Sequence, residues 1–159
     1  FRGQYCLTIR AEDGFGYVST SKDGLEWSEP VAWKFDDGEA LAMSTTQQHW
    51  ITHSDGLFLV YTRKTAENEK VMRWRAPLFI ARVDEKAWRL MRATERTVFP
   101  LYGDPVNRPN EVPHYGNFHT VNINANESWI TVGEVIPANF GGDLLLARVH
   151  WSQPNQLLR

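Results

Sequence analysis

The amino-acid sequence predicts an all-β chain assembled from repeated antiparallel units. Three observations lead there: strand-like runs follow one another without any sustained helical spacing of apolar positions, Gly-containing turns separate them, and several runs can be laid under one another. The runs are 5–10, 16–21, 57–63, 77–83, 118–123, 128–135 and 144–149, each rich in β-branched, aromatic or Leu residues. Between them stand Asp13-Gly14, Asp23-Gly24, Asp37-Gly38, Asp55-Gly56 and Gly141-Gly142, pairs that accept the backbone angles of tight turns.

Laid in register, 5–10 falls on 58–63 and on 129–134. The runs that follow them also match, most closely Phe79-Ile80-Ala81-Arg82-Val83 with Leu145-Leu146-Ala147-Arg148-Val149. The copies lie roughly 50 to 70 residues apart, a spacing that fits β-propeller blades of four antiparallel strands. The expected architecture is a single partial propeller domain over 1–159, with about three blade units at 1–46, 47–100 and 115–159. In the middle unit the four strands are expected at 47–53, 57–63, 77–83 and about 89–99. A β-sandwich is the competing architecture, because short alternating strands serve both.

Composition narrows the function classes. The 159 residues are 42% hydrophobic and 23% charged, an ordinary globular balance. Seven Trp and an aromatic share of 13% suit both sheet packing and the stacking of sugar rings. A net charge of -2 argues against an electrostatic nucleic-acid binder. The single Cys6 allows no intrachain disulfide, and no Cys/His grouping has a zinc spacing, so neither metal nor cofactor is expected. No apolar run reaches the roughly 20 residues of a membrane helix. The chain starts at Phe1 rather than Met, and a strand begins almost at once, which reads as a piece of a longer chain.

Between the third and fourth strands of the first unit stands Ser21-Lys22-Asp23-Gly24-Leu25-Glu26-Trp27, a Ser-x-Asp-Gly-x-x-Trp pattern. Its physical sense is local: Asp23 caps its own turn, Gly24 accepts a positive φ, and Trp27 is expected to cover the hairpin. The pattern resembles the Asp box of sialidase-like, BNR-repeat propellers. The segments Gln48-His49-Trp50, 57–63 and Arg75-Ala76-Pro77-Leu78-Phe79-Ile80-Ala81 extend the likeness over most of the chain. The resemblance implies a six-bladed parent whose remaining blades lie outside this piece, a carbohydrate substrate or ligand, and a secreted or periplasmic location. It also implies that substrate binds on the rim opposite the Asp box.

At that rim Arg10, Arg63 and Glu134 are expected to close the second strands, while Gln47, His49, Asn117 and His119 open the first strands. Arg is suited to clamp a sugar carboxylate with two parallel hydrogen bonds, and Arg73 and Arg75 stand ready to join from the loop before the third strand. Glu134, His49 and His119 are the candidate acid–base groups, and Tyr115 is a further candidate contact to substrate. Arg10 and Arg63 equally suit solvated hairpin ends, and the two His suit packing. The run Arg89, Arg92, Glu95, Arg96 reads as the outward face of an outer strand. The leading expectation is a sialidase-like glycoside hydrolase on an acidic glycan. The alternatives are a lyase on uronate-containing glycans and a non-catalytic glycan-binding propeller, with Trp50, Trp74 and Phe118 as stacking platforms.

Overall fold

The computed structural model describes residues 1–158, and its regular structure is almost wholly β. The first sheet runs β1 (Tyr5–Arg10), β2 (Gly16–Ser21), β3 (Val31–Ala32). The second runs β4 (His49–His53), β5 (Gly56–Tyr61), β6 (Leu78–Asp84), with β7 (Arg89–Leu90) and β8 (Arg96–Phe99) both paired to β6. The third contains β9 (His114–Asn124), β10 (Glu127–Val135) and β11 (Leu144–His150), with β10 in the middle. Each sheet is an antiparallel meander, the arrangement that short hairpin turns favour.

The middle sheet is buried on both faces. Side chains alternate along β5, so Leu57, Leu59 and Tyr61 point to one side while Phe58 and Val60 point to the other. The first group packs with Val18, Trp33, Phe35, Leu41 and Met43 of the first unit. The second packs with Phe118, Ile130 and Val132 of the third sheet. A continuous apolar run, rather than an alternating one, is what a strand covered on both faces requires.

Polar side chains join the sheets where backbone pairing stops. Along the free edge of β4, the Trp50 carbonyl accepts from Thr120 Oγ1 at 2.7 Å, and the Thr52 carbonyl accepts from Asn122 and Asn155 Nδ2 at 3.0 and 2.9 Å. Asn155, wholly buried, also accepts from the Ser54 amide at 3.0 Å and so ties the C-terminal segment to the β4–β5 turn. On the other side, the Trp50 indole donates to the Cys6 carbonyl at 3.1 Å.

The Ser21–Trp27 turn closes as its sequence implies. Asp23 Oδ1 accepts from the Leu25 and Glu26 amides at 2.8 and 3.0 Å, Ser21 Oγ accepts from the Gly24 amide at 2.8 Å, and Gly24 sits at φ 80°. These bonds hold the Asp23 carboxyl below the usual Asp range. Trp27 is 40% exposed.

Three expectations are corrected. The outer strand expected at 89–99 breaks into β7 and β8 around a 3-10 turn at Arg92–Thr94. It breaks because the Leu90 backbone bonds the first unit, giving its N–H to Lys34 and accepting from Asp36, while Thr94 Oγ1 accepts from the Arg82 amide. The run Arg89, Arg92, Glu95, Arg96 is therefore no uniform outward face, since Arg92 pairs with Asp37 and Glu39 and Glu95 pairs with Arg63. Third, the laying of 5–10 on 58–63 is one residue out. Ile9 stands opposite Tyr17 as Tyr61 stands opposite Phe79 and Val132 opposite Leu145, so Cys6 rather than Tyr5 matches Phe58. A one-residue slip exchanges the two faces of a strand.

Leu59→Ala removes a wholly buried side chain from the first core, and a loss of about 2–5 kcal/mol is expected from denaturant midpoints at unchanged slope. Ser21→Ala strands the Gly24 amide of a half-buried turn, and the same measurement is expected to show a smaller loss of about 1–2 kcal/mol.

Candidate functional site

The strand registers place the β1–β2 connection, after Arg10, at the end of the first sheet away from the Ser21–Trp27 turn. The start of β4 reaches this same end, where Gln48 bonds the Thr8 hydroxyl, the Trp33 indole at 2.9 Å and the Ile9 carbonyl at 3.4 Å. Arg10 Nη1 donates to the Thr45 carbonyl at 3.4 Å. The third sheet follows because β9 lies along β4, which brings the His49 and His119 rings to 5.4 Å. All three sheets thus present corresponding ends at one rim.

Three guanidinium groups lie at this end: Arg10, the last residue of β1, which reaches Thr45, and Arg73 and Arg75 from the loop between β5 and β6, with Arg73 and Thr45 on one cavity wall. Burial first, then the charges of Arg73 and Arg10, lower the Arg75 pKa. That loop is strained, with Arg73 and Trp74 at φ 54° and 50°, in the left-handed region that non-Gly side chains avoid. Arg75 lies flat against Gly116, where a Cβ would come within 2.9 Å of the guanidinium, so Gly is the residue that permits the approach. The backbone fixes the arrangement, with the Tyr115 amide bonding the Arg75 carbonyl at 2.7 Å.

Beside Arg75 is a cavity of about 120 Å³. His114, Asn117, Met72, Val135 and Phe140 contribute to its wall, and Phe140 is 87% exposed. Arg75 Nε and His114 Nε2 are both buried without a hydrogen-bond partner among the described residues. Leaving such atoms unpaired costs about 1–3 kcal/mol each. His114 itself is 3% exposed. An Arg beside a neutral imidazole and an exposed amide, under an apolar lip, suits a small oxyanion on a partly apolar molecule.

The expected residues divide into those brought together and those held apart. Arg10, Arg75 and Asn117 lie at the shared rim with the Gln47–His49–His119 group, in which His49 Nε2 and Gln47 Oε1 are 3.3 Å apart. Arg63 is otherwise engaged: its Nε and Nη2 reach the Glu95 carboxylate at 2.9 and 2.7 Å, and its guanidinium stacks on Phe79 and Phe35. Tyr61 donates to the same carboxylate. Burial opposes the Glu95 charge, but the bonds from Arg63 and Tyr61 outweigh it and hold that carboxyl below the usual range. Arg10 is also not the counterpart of Arg63 and Glu134, because the one-residue offset of β1 turns it to the other face.

Tyr115 is wholly buried and donates to the Pro100 carbonyl at 2.9 Å. Burial, then the charge of Glu134, push its pKa to about 12, so its phenol stays protonated at neutral pH. Glu134 is half-buried, gives its N–H to the Asp143 carbonyl at 2.9 Å and is close enough to Tyr115 to bias it. Sequence reasoning missed His114 and the apolar lip. The signal was the alternation His114, Gly116, Phe118, which continues β9 four residues before the expected start. Among the described residues, no group of three His, Cys, Asp or Glu is placed to hold a metal ion, and no helix is long and apolar enough to cross a membrane.

Two imidazoles are held below the ordinary His value of 6.5, the half-buried His49 by burial and His119, and the buried His114 by burial and Arg75. The unfolded chain therefore binds these protons more readily than the folded chain. Their contribution to stability is complete above the unfolded pKa of about 6.5 and is lost as pH falls from there through the lower folded pKa values. Thermal melts between about pH 8 and 5 are expected to show this fall, and His114→Gln to flatten it. A slope unaltered by the substitution contradicts the assignment to His114.

The chain matches no family model, no curated protein and no solved structure in the comparisons made.

Proposed function

We propose that the three sheets are blades of a sialidase-like β-propeller, a glycoside hydrolase that acts on an acidic glycan outside the cytoplasm. The observation that carries this reading is the placement of Arg10, Arg73 and Arg75 at the rim opposite the Ser21–Trp27 turn, beside a cavity walled by Arg75, His114 and Asn117. The meander within each sheet and the middle sheet's burial on both faces support the propeller part of the reading.

In this reading Arg75 receives the sugar carboxylate, with Arg10 and Arg73 supplying the surrounding positive field. Asn117 and Gln47 orient the ring hydroxyls. Glu134 is the carboxylate proposed to exchange a proton with the glycosidic oxygen or an attacking water, with His49 and His119 assisting. A second reading, a uronate lyase, is favoured by the His49–His119 contact. A neutral His49 beside a second imidazole suits the removal of a proton next to a carboxylate that Arg neutralises.

The test is incubation with sialylated oligosaccharides and, separately, uronate polymers. Release of free acidic sugar supports the hydrolase, and Arg75→Lys is then expected to lower kcat/KM by about 100-fold, since Lys cannot reproduce the planar fork. A new ultraviolet-absorbing double bond from uronate polymers supports the lyase instead. Binding without turnover of either substrate overturns both and leaves a glycan-binding protein.

A further inference from the structure

Of the three aromatic residues that the sequence offers as stacking platforms, the fold withdraws two. Phe118 is wholly buried, and Trp50 packs on the first core with its indole N–H on the Cys6 carbonyl. Trp33, Trp129 and Trp151 likewise give their N–H to Gln48, Glu127 and Ser128. Trp27 and Trp88 stand in the turns after β2 and β6, at the other end of their sheets. Trp74 is the indole at the rim, half-buried, with Lys64 Nζ 5.8 Å from its ring centroid.

Trp74 belongs to the strained loop between β5 and β6, whose side chains divide between two cavities. Met72 and Arg75 wall the cavity of about 120 Å³ beside His114, whereas Arg73 and Trp74 wall a second one of about 280 Å³. The first unit completes the second wall, with Glu12 and Gly14 from the β1–β2 turn and Ser44 and Thr45 from the segment before β4. The Trp74 amide bonds the Val71 carbonyl at 3.0 Å, and the Arg75 amide bonds the Met72 carbonyl at 3.3 Å. Successive non-Gly residues at φ 54° and 50° are costly, and such strain persists where the surroundings over-determine it, as at ligand sites.

The second cavity differs chemically from the first. It carries one guanidinium and one carboxylate, Arg73 and Glu12, since Asp13 is taken up by the Phe15 amide and the Tyr17 hydroxyl of its own turn. Opposite charges on one wall leave little net attraction for a further anion, yet they offer hydroxyl groups both donors and acceptors. An indole beside such groups suits the apolar face of a neutral sugar ring. We propose, on the glycan reading of the Arg75 site, that this cavity binds the neutral ring joined to the acidic sugar, with Trp74 as its stacking platform. The ligand is then an acidic unit followed by a neutral one, which sets it apart from polymers that carry a carboxylate on every ring.

The experiment is calorimetric titration of the whole chain, and of Trp74→Ala and Trp74→Phe, with N-acetylneuraminic acid and with its thio-linked galactoside, whose sulfur bridge resists cleavage. Circular dichroism checks that both variants keep the fold. The wild type is expected to bind the two-ring ligand about 10-fold more tightly than the single acid. Trp74→Ala is expected to erase that difference while its affinity for the single acid stays unchanged, and Trp74→Phe to keep most of it. Equal wild-type affinity for the two ligands, a preference that survives in Trp74→Ala, or an equal loss for both overturns the Trp74 assignment and leaves the Arg75 reading in place. Failure of the wild type to bind either ligand overturns the Arg75 reading and the Trp74 assignment with it.

Discussion

The interaction on which the rest depends is the burial of the middle sheet on both faces. A strand such as β5 offers Leu57, Leu59 and Tyr61 to one side and Phe58 and Val60 to the other, and neither set is tolerated in water across a whole sheet. The first and third sheets are thereby drawn to opposite sides of one slab. Once they are there, the order of the chain leaves their corresponding ends on one rim, because each sheet is the same meander.

Hydrophobic burial sets the stacking but has no direction along a strand, so something else must set the alignment. Directional polar contacts do so. Thr120, Asn122 and Asn155 use the carbonyls of β4 that no neighbouring strand pairs, and Gln48 bridges the start of β4 to the end of β1. Each contact satisfies a backbone or side-chain group at a sheet border, where an unpaired one is costly. The same contacts bring His49 against His119 and Arg10 toward the Arg75 loop. The alignment of the rim and the satisfaction of the β4 edge are one event.

The rim holds conformations that folding alone disfavours. Arg73 and Trp74 occupy the left-handed region, Arg73 and Arg10 both bear on the Arg75 guanidinium, and Arg75 Nε and His114 Nε2 are buried unpaired among the described residues. By contrast, Arg63, Glu95 and Tyr61 form a complete set, with the guanidinium fork on the carboxylate, the phenol on the same oxygen and aromatic rings beneath the Arg. The first group is left with uncompensated positive charge, and the second is internally complete. That difference separates two arginine clusters that look alike in sequence.

Much of the local structure is legible in the residues. The runs 5–10 and 16–21 become strands with those bounds, the Ser21–Trp27 turn closes through Asp23 and Ser21, and the repeat places His49 with His119 and Gln47 with Asn117. These features depend on alternation and turn chemistry within a few residues. What only the tertiary structure decided is partner choice: that Glu95 takes Arg63, that Leu90 breaks the outer strand by bonding the first unit, that Tyr115 turns inward, and that Arg75 meets His114. It also decided the one-residue offset of β1, because period-two alternation reads equally well in either phase and only packing against Trp50 and Gln48 selects one. Charged side chains reach several positions from a given backbone, so their pairing follows from which sheets meet and not from their place in the chain.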